Sequence, residues 1–286
     1  MNDSLTNFLW LTESLNLQKY DSFRNNFLKA LDGHGIEYDF LRPTKDIWAV
    51  DFMPIQVAES HFVQFKYFPD YLRNSRTYIK TISDVDAICD TINLQREKSE
   101  ILLDGGNVVR YGSKAIMCEK IKDENPSIGQ NDLTLELQHL LQLDELIYLP
   151  WDKKEDEIGH ADGMVRFLDE KTVLVNSYKQ EPDFSEAVVS QLRKAKLECI
   201  PITYHPYRNH SELDATGIYI NYLQMGDTVF VPTFNRKEDD EALEEFSRLF
   251  KKVVPVRSEL IAKDGGVLNC ISWNIAKGVT SEIANR

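Results

Sequence analysis

Apolar residues recur along this chain at two spacings that take turns, and each spacing predicts an element. One spacing is helical. Phe23, Phe27, Leu28 and Leu31 form a stripe within Tyr20–Leu31, which Gly33 ends. Similar stripes run through Ser83–Leu94 (Val85, Ile88, Cys89, Ile92) and Leu133–Leu143 (Leu133, Leu137, Leu140, Leu141). Two more occupy Phe184–Leu197 (Val188, Leu192, Ala195) and Asp239–Phe250 (Leu243, Phe246, Phe250). Each fits a period of about 3.6 residues, so five helices with one buried face are expected.

The other spacing is a short continuous run rich in β-branched residues. Phe62–Phe65, Asn107–Tyr111, Thr172–Val175 and Thr228–Val231 are of this kind, several beside turn signals such as Gly112-Ser113 and Gly226-Asp227. These runs read as strands. A cycle of strand, turn, strand, helix, strand appears about five times at intervals of roughly 50 residues, which predicts a repeated, radially arranged α/β architecture. No Pro/Ser/Gly-rich linker interrupts it, so one domain over residues 1–286 is expected.

Composition narrows the function. The 286 residues are 42% apolar and 28% charged, as in an ordinary globular protein. A formal net charge of −13, from 33 basic and 46 acidic residues, argues against a nucleic-acid or anionic-membrane partner. The first residues lack the basic region of a signal peptide, and no apolar run approaches the roughly 20 residues that span a bilayer. A soluble cytoplasmic protein is expected, and nothing in the sequence sets its oligomeric state.

Neither metal nor organic cofactor is called for. Cys89, Cys118, Cys199 and Cys270 are far apart without a C-x-x-C pair, and His205 and His210 lack ligand spacing. Gly112-Ser113-Lys114 fails as a phosphate loop, because Asn107 stands where glycine is needed. The first three cysteines lie among apolar residues and read as buried thiols.

Four stretches hold the candidate chemistry. In Asp46–Pro54, Asp51 stands beside Trp48, Phe52 and Met53; it suits a cation in an aromatic-walled pocket, or a plain turn before Pro54. Asp104-Gly105-Gly106-Asn107 follows an apolar strand end and reads equally as a hairpin turn. His160 and Asp162 precede the apolar run Met164–Val175; in an extended backbone, positions i and i+2 share a face, so both would enter one space. Cys270 ends a short strand opened by Gly265-Gly266, which fits a core thiol as well as a presented nucleophile.

Taken together and in this order, the stretches resemble guanidino-group-modifying enzymes, and most closely the agmatine deiminase and Porphyromonas-type peptidylarginine deiminase family. The resemblance runs from about Thr44 to Trp273. Thr44–Asp51 is similar to the family's first carboxylate motif and Asp104–Asn107 to its acidic-Gly-Gly-Asn motif. Gly159–Asp162 with Arg166-Phe167 matches its His-x-Asp motif. Tyr219–Tyr222 with Val231–Phe234 resembles its Tyr-x-Asn strand and Val-Pro-Thr-Phe, and Asp264–Ile271 its nucleophile segment. Val50, Asp104 and Asn269 depart from the Arg, Glu and His common at those places.

The resemblance implies the pentein fold, a five-bladed α/β propeller with its site at the centre. It implies Cys270 as nucleophile, His160 as acid and base, and Asp51 and Asp162 as the carboxylates that grip a guanidinium. Trp48, Asp104, Asn107 and Asn221 are expected to support substrate binding. The expected reaction takes agmatine to N-carbamoylputrescine and ammonia through a thiouronium intermediate. Peptidylarginine, free arginine, amidino transfer, and a guanidino-binding protein without catalysis remain as alternatives.

Overall fold

The computed structural model describes residues 2–278, except Asn74, Glu155 and Glu212. Its strands form five separate three-stranded sheets. The first holds β1 (Phe8–Thr12) and β2 (Glu37–Leu41). The second holds β3 (Ile55–Ala58), β4 (His61–Lys66) and β5 (Glu97–Leu102), and the third β6 (Val109–Tyr111), β7 (Lys114–Cys118) and β8 (Glu145–Leu149). The fourth holds β9 (Val165–Phe167), β10 (Thr172–Asn176) and β11 (Glu198–Ile202), and the fifth β12 (Leu223–Met225), β13 (Thr228–Thr233) and β14 (Lys252–Arg257). The last strand, β15 (Trp273–Ile275), returns to the first sheet and pairs with β1 from Phe8↔Ile275 to Trp10↔Trp273, closing the ring.

Every blade is built alike. An inner strand pairs antiparallel with the middle strand, and the middle strand pairs parallel with an outer one. A parallel pair needs a crossover, and a helix provides it each time: α1 (Asp21–Gly33), α2 (Val85–Thr91), α3 (Gln130–Leu140), α4 (Pro182–Lys194) and α5 (Glu238–Leu249). These are the five helices the periodicity predicts. Middle strands such as β1, β10 and β13 are buried almost throughout, which is why they read as unbroken apolar runs rather than alternating ones. Phe27 of α1 and Phe246 of α5 are fully buried in the same large cluster as Phe230 of β13. In α4, Pro182 and Asp183 open the first turn and Arg193 and Lys194 close the last, each end suiting the helix dipole.

The five connections from one blade to the next, residues 42–54, 103–108, 150–164, 203–222 and 258–272, carry the candidate site residues. A small polar cavity of about 130 Å³ is lined from all five inner strands: Gln56, Arg110, Arg166, Gln224 and Asn274 contribute one each. The inner strands therefore face a common axis. Of the cysteines, Cys89 and Cys118 are buried as expected, while Cys199 on the outer strand β11 is only half-buried.

Candidate active site

Three of the expected local conformations are different in the structure. His160 is extended (φ −97°, ψ 131°), but the chain then turns into a 3-10 helix over Ala161–Gly163. The two-residue alternation is broken, so His160 and Asp162 diverge: the histidine meets Asp51 and Asp104, the aspartate meets Asn269 and Cys270. Similarly, Cys270 ends no strand; it lies in turns just ahead of β15. Nor is Asp104-Gly105 a hairpin, since β5 and β6 on either side belong to different sheets.

The site nevertheless assembles. Cys270, His160, Asp162, Asp51, Trp48 and Asn221 line one cavity of about 1140 Å³. Asp51 sits on a short helix, Ala49–Phe52, and accepts from the Gly106 N–H at 3.1 Å. Its Oδ1 is 3.4 Å from Nδ1 of His160. A Cβ on Gly106 would stand 2.6 Å from that oxygen and 2.7 Å from that nitrogen, so only glycine lets the pair meet here. The other ring nitrogen, Nε2, is 3.1 Å from Oδ2 of Asp104. Gly266 is needed for the same reason: a Cβ there would lie 2.6 Å from the Trp48 ring and 3.0 Å from the Cys270 sulfur.

Asn221 organises the segment that carries Cys270. Its Oδ1 faces the backbone N–H groups of Asn269 and Cys270 at 3.2 and 3.4 Å and the Cys270 thiol at 3.3 Å. Nearby, Asp239 accepts from the Tyr219 hydroxyl and from the N–H of Phe234 and Arg236, which ties the turn carrying Asn221 to the start of α5.

Two expected substrate contacts are placed otherwise. Asp104 stands behind His160, away from the cavity wall, where it orients the imidazole. Asn107 does not line the cavity: Nδ2 donates to Cys118 O, and Oδ1 accepts from the N–H of Cys118 and Ala161. It is a clasp between two connections, with both its amide nitrogen and its amide oxygen bonded to backbone. Tyr67 and Tyr71 line the same cavity but were not expected there, and Asn269, beside Cys270, donates to Asp162 Oδ2 at 2.6 Å.

The electrostatics follow from burial. Burial pushes the Asp51 carboxyl up, and His160 only partly offsets it. Burial alone would lower the imidazole, but Asp51, then Asp104 and Asp162, outweigh it and hold His160 well above its ordinary value, so the ring rests as imidazolium. Burial, then Asp162 and Asp51, push the Cys270 thiol far above the usual range, so Cys270 rests as a neutral thiol. Among the described residues, no group of His, Cys, Asp and Glu side chains is arranged to hold a metal ion.

A ring of five α/β blades with polar connections meeting over a cysteine, a histidine and two carboxylates defines a pentein. The structure resembles "C. Jejuni Agmatine Deiminase" at a TM-score of 0.78 over 98% of this chain and 96% of that one, with 18% identity. It also resembles the agmatine deiminase of Enterococcus faecalis at 0.71, with 17% identity, over 98% and 96%. The chain belongs to the Porphyromonas-type peptidyl-arginine deiminase family, whose model matches residues 13–275. A curated agmatine deiminase from Pseudomonas aeruginosa (strain UCBPP-PA14) is 24% identical over 208 residues, 60% of this chain. The match spans 56% of that relative's own length.

Proposed function

We propose that this chain, acting as one catalytic domain over residues 1–286, is a guanidino-group deiminase that takes agmatine to N-carbamoylputrescine and ammonia. One observation carries the reading. Asp51 and Asp162 are buried carboxylates on the same cavity as Cys270 and His160, and neither is ion-paired to lysine or arginine among the described residues. A planar cation that donates paired hydrogen bonds to both fits that arrangement. Each charge-assisted bond is worth about 1.5–3 kcal/mol.

The same cation activates the nucleophile. Its charge offsets the two carboxylates that hold the thiol neutral, so the Cys270 proton is lost to solvent once substrate is seated. The thiolate attacks the guanidinium carbon and a tetrahedral centre forms. The His160 imidazolium gives its proton to the departing nitrogen, the C–N bond breaks, and ammonia leaves. Water then adds to the thiouronium carbon while His160 takes a proton. The C–S bond breaks as the new hydroxyl gives its proton to the departing sulfur, leaving the urea product and the free thiol. Trp48, on the cavity wall beside Cys270, packs over the cation.

The cavity favours one second reading. At about 1140 Å³ it exceeds the roughly 300–1,000 Å³ that drug-sized ligands occupy, so arginine within a peptide is the alternative substrate. Cytoplasmic location belongs to the same proposal and is supported by four free thiols. The test is ammonia release from agmatine, free arginine and a blocked arginyl peptide, with Cys270→Ala as control. Release from agmatine that the control lacks is expected. Release from the peptide alone selects the second reading, and release from none overturns both.

A further inference from the structure

Asp104 Oδ2 receives two donors: Nε2 of His160 at 3.1 Å and the Tyr71 hydroxyl at 3.0 Å. The Tyr71 ring also meets the imidazole edge-on, with centroids 6.4 Å apart. Tyr71 belongs to none of the motifs. It sits on the helical turn Asp70–Arg73, which leaves the second blade after β4.

Lys120, from the third blade, holds that turn. Its side chain is 2% exposed, and its ammonium donates to Glu157 O at 2.7 Å and Ile158 O at 2.9 Å and pairs with Asp70 Oδ1 at 2.8 Å. Three donors thus meet three acceptors. The same ammonium lies over the rings of Tyr71, at 4.9 Å, and Trp151, at 5.5 Å. Lys120 does not line the substrate cavity. It joins the turn that carries Tyr71 to the backbone just ahead of His160.

We propose that Tyr71 and Lys120 form a brace that sets the proton affinity of His160: Tyr71 shares the Asp104 oxygen with the imidazole, and Lys120 holds Tyr71 where it can do so. The inference rests on His160 being the acid and base of the proposed reaction. Asp51, Asp104 and Asp162 face His160, with Glu124 and Asp156 beyond them; Tyr71 meets its ring, and the half-buried Tyr67 lies next to Tyr71 and Asp104. All five carboxylates favour the imidazolium. An acid that must also surrender its proton works best when its affinity is not driven too far above the working pH. An oxygen that already accepts from Tyr71 gives less to His160, so the brace limits that drift. Tyr71 and Lys120 are positioning residues in this account, because their effect passes through Asp104.

The test is the titration of His160 followed by NMR with histidine-labelled protein, its signal assigned with His160→Gln. In Tyr71→Phe the titration is expected to move to higher pH by about half a unit to one unit. Lys120→Met should move it the same way, and Lys120→Arg should restore part of the difference. In the Tyr71→Phe background, Lys120→Met should add nothing further. An additive shift would mean that only a nearby positive charge had been lost, and it would overturn the brace, as would an unmoved titration in Tyr71→Phe. Where Lys120→Met does not fold, the Tyr71→Phe titration decides alone. Because the titration is read without substrate, its outcome stays separate from whether any guanidine releases ammonia.

Discussion

The Asn269 amide donates to Asp162 Oδ2 at 2.6 Å, and that same oxygen stands 3.9 Å from the sulfur of Cys270. The residue next to Cys270 thus holds a carboxylate expected to grip substrate. Asp162 is 3% exposed, so losing the donor leaves its charge poorly satisfied at a cost of about 1–3 kcal/mol. Asn269→Leu is therefore expected to lower the Tm and raise KM for agmatine, in thermal melts and steady-state kinetics. Unchanged values in both would remove Asn269 from the account.

The thiol offers a pH test. Burial comes first among the causes that raise Cys270, and Asp162 is the largest of the charges that add to it. Asp162→Asn removes a negative charge that opposes ionisation, so the thiol should ionise at lower pH. The rate of alkylation by iodoacetamide, followed against pH in the empty enzyme, should shift to lower pH in the variant. A shift in the opposite direction would contradict the electrostatic reading.

Asp51 should matter more for substrate than for folding. Burial already disfavours its charged form, so Asp51→Asn is expected to leave the Tm within a few degrees. Guanidine affinity should fall at least tenfold, the equivalent of one lost charge-assisted bond of about 1.5–3 kcal/mol. Binding measured calorimetrically in a Cys270→Ala background separates affinity from turnover.

Asn107 carries the reverse expectation. Its amide satisfies one backbone carbonyl and two N–H groups in a buried place. Asn107→Leu should destabilise the fold on the order of 3 kcal/mol, seen in urea denaturation, while KM of the remaining folded enzyme stays near the wild-type value. A raised KM with full stability would return Asn107 to the substrate.

The blades were legible because their signals are local and repeated. Phe23, Phe27 and Leu31 declare a helix face, and Val173 to Val175 declare a strand buried on both sides, without help from the rest of the chain. The candidates that line the cavity were legible as a set of residues but not as shapes. His160–Asp162 precedes an apolar run and looks like its first residues, whereas the real backbone turns there because the chain is passing from one blade to the next. Asp104 and Asn107 sit beside glycines in a sequence that suits a ligand loop equally well. Only the ring places one behind His160 and spends the other on Cys118 and Ala161. Tyr71 gave no signal at all: it reaches Asp104 from inside the second blade, and Lys120 reaches it from the third. Contacts between blades have no period in the sequence.

In the proposed reaction Cys270 becomes covalently bonded to the guanidinium carbon. Intact-protein mass spectrometry of enzyme quenched in acid during agmatine turnover tests it most directly. The account predicts a mass gain equal to agmatine less ammonia, located on Cys270 by peptide mapping and absent from Cys270→Ala. A gain on another residue, or ammonia release that persists in Cys270→Ala, would contradict it.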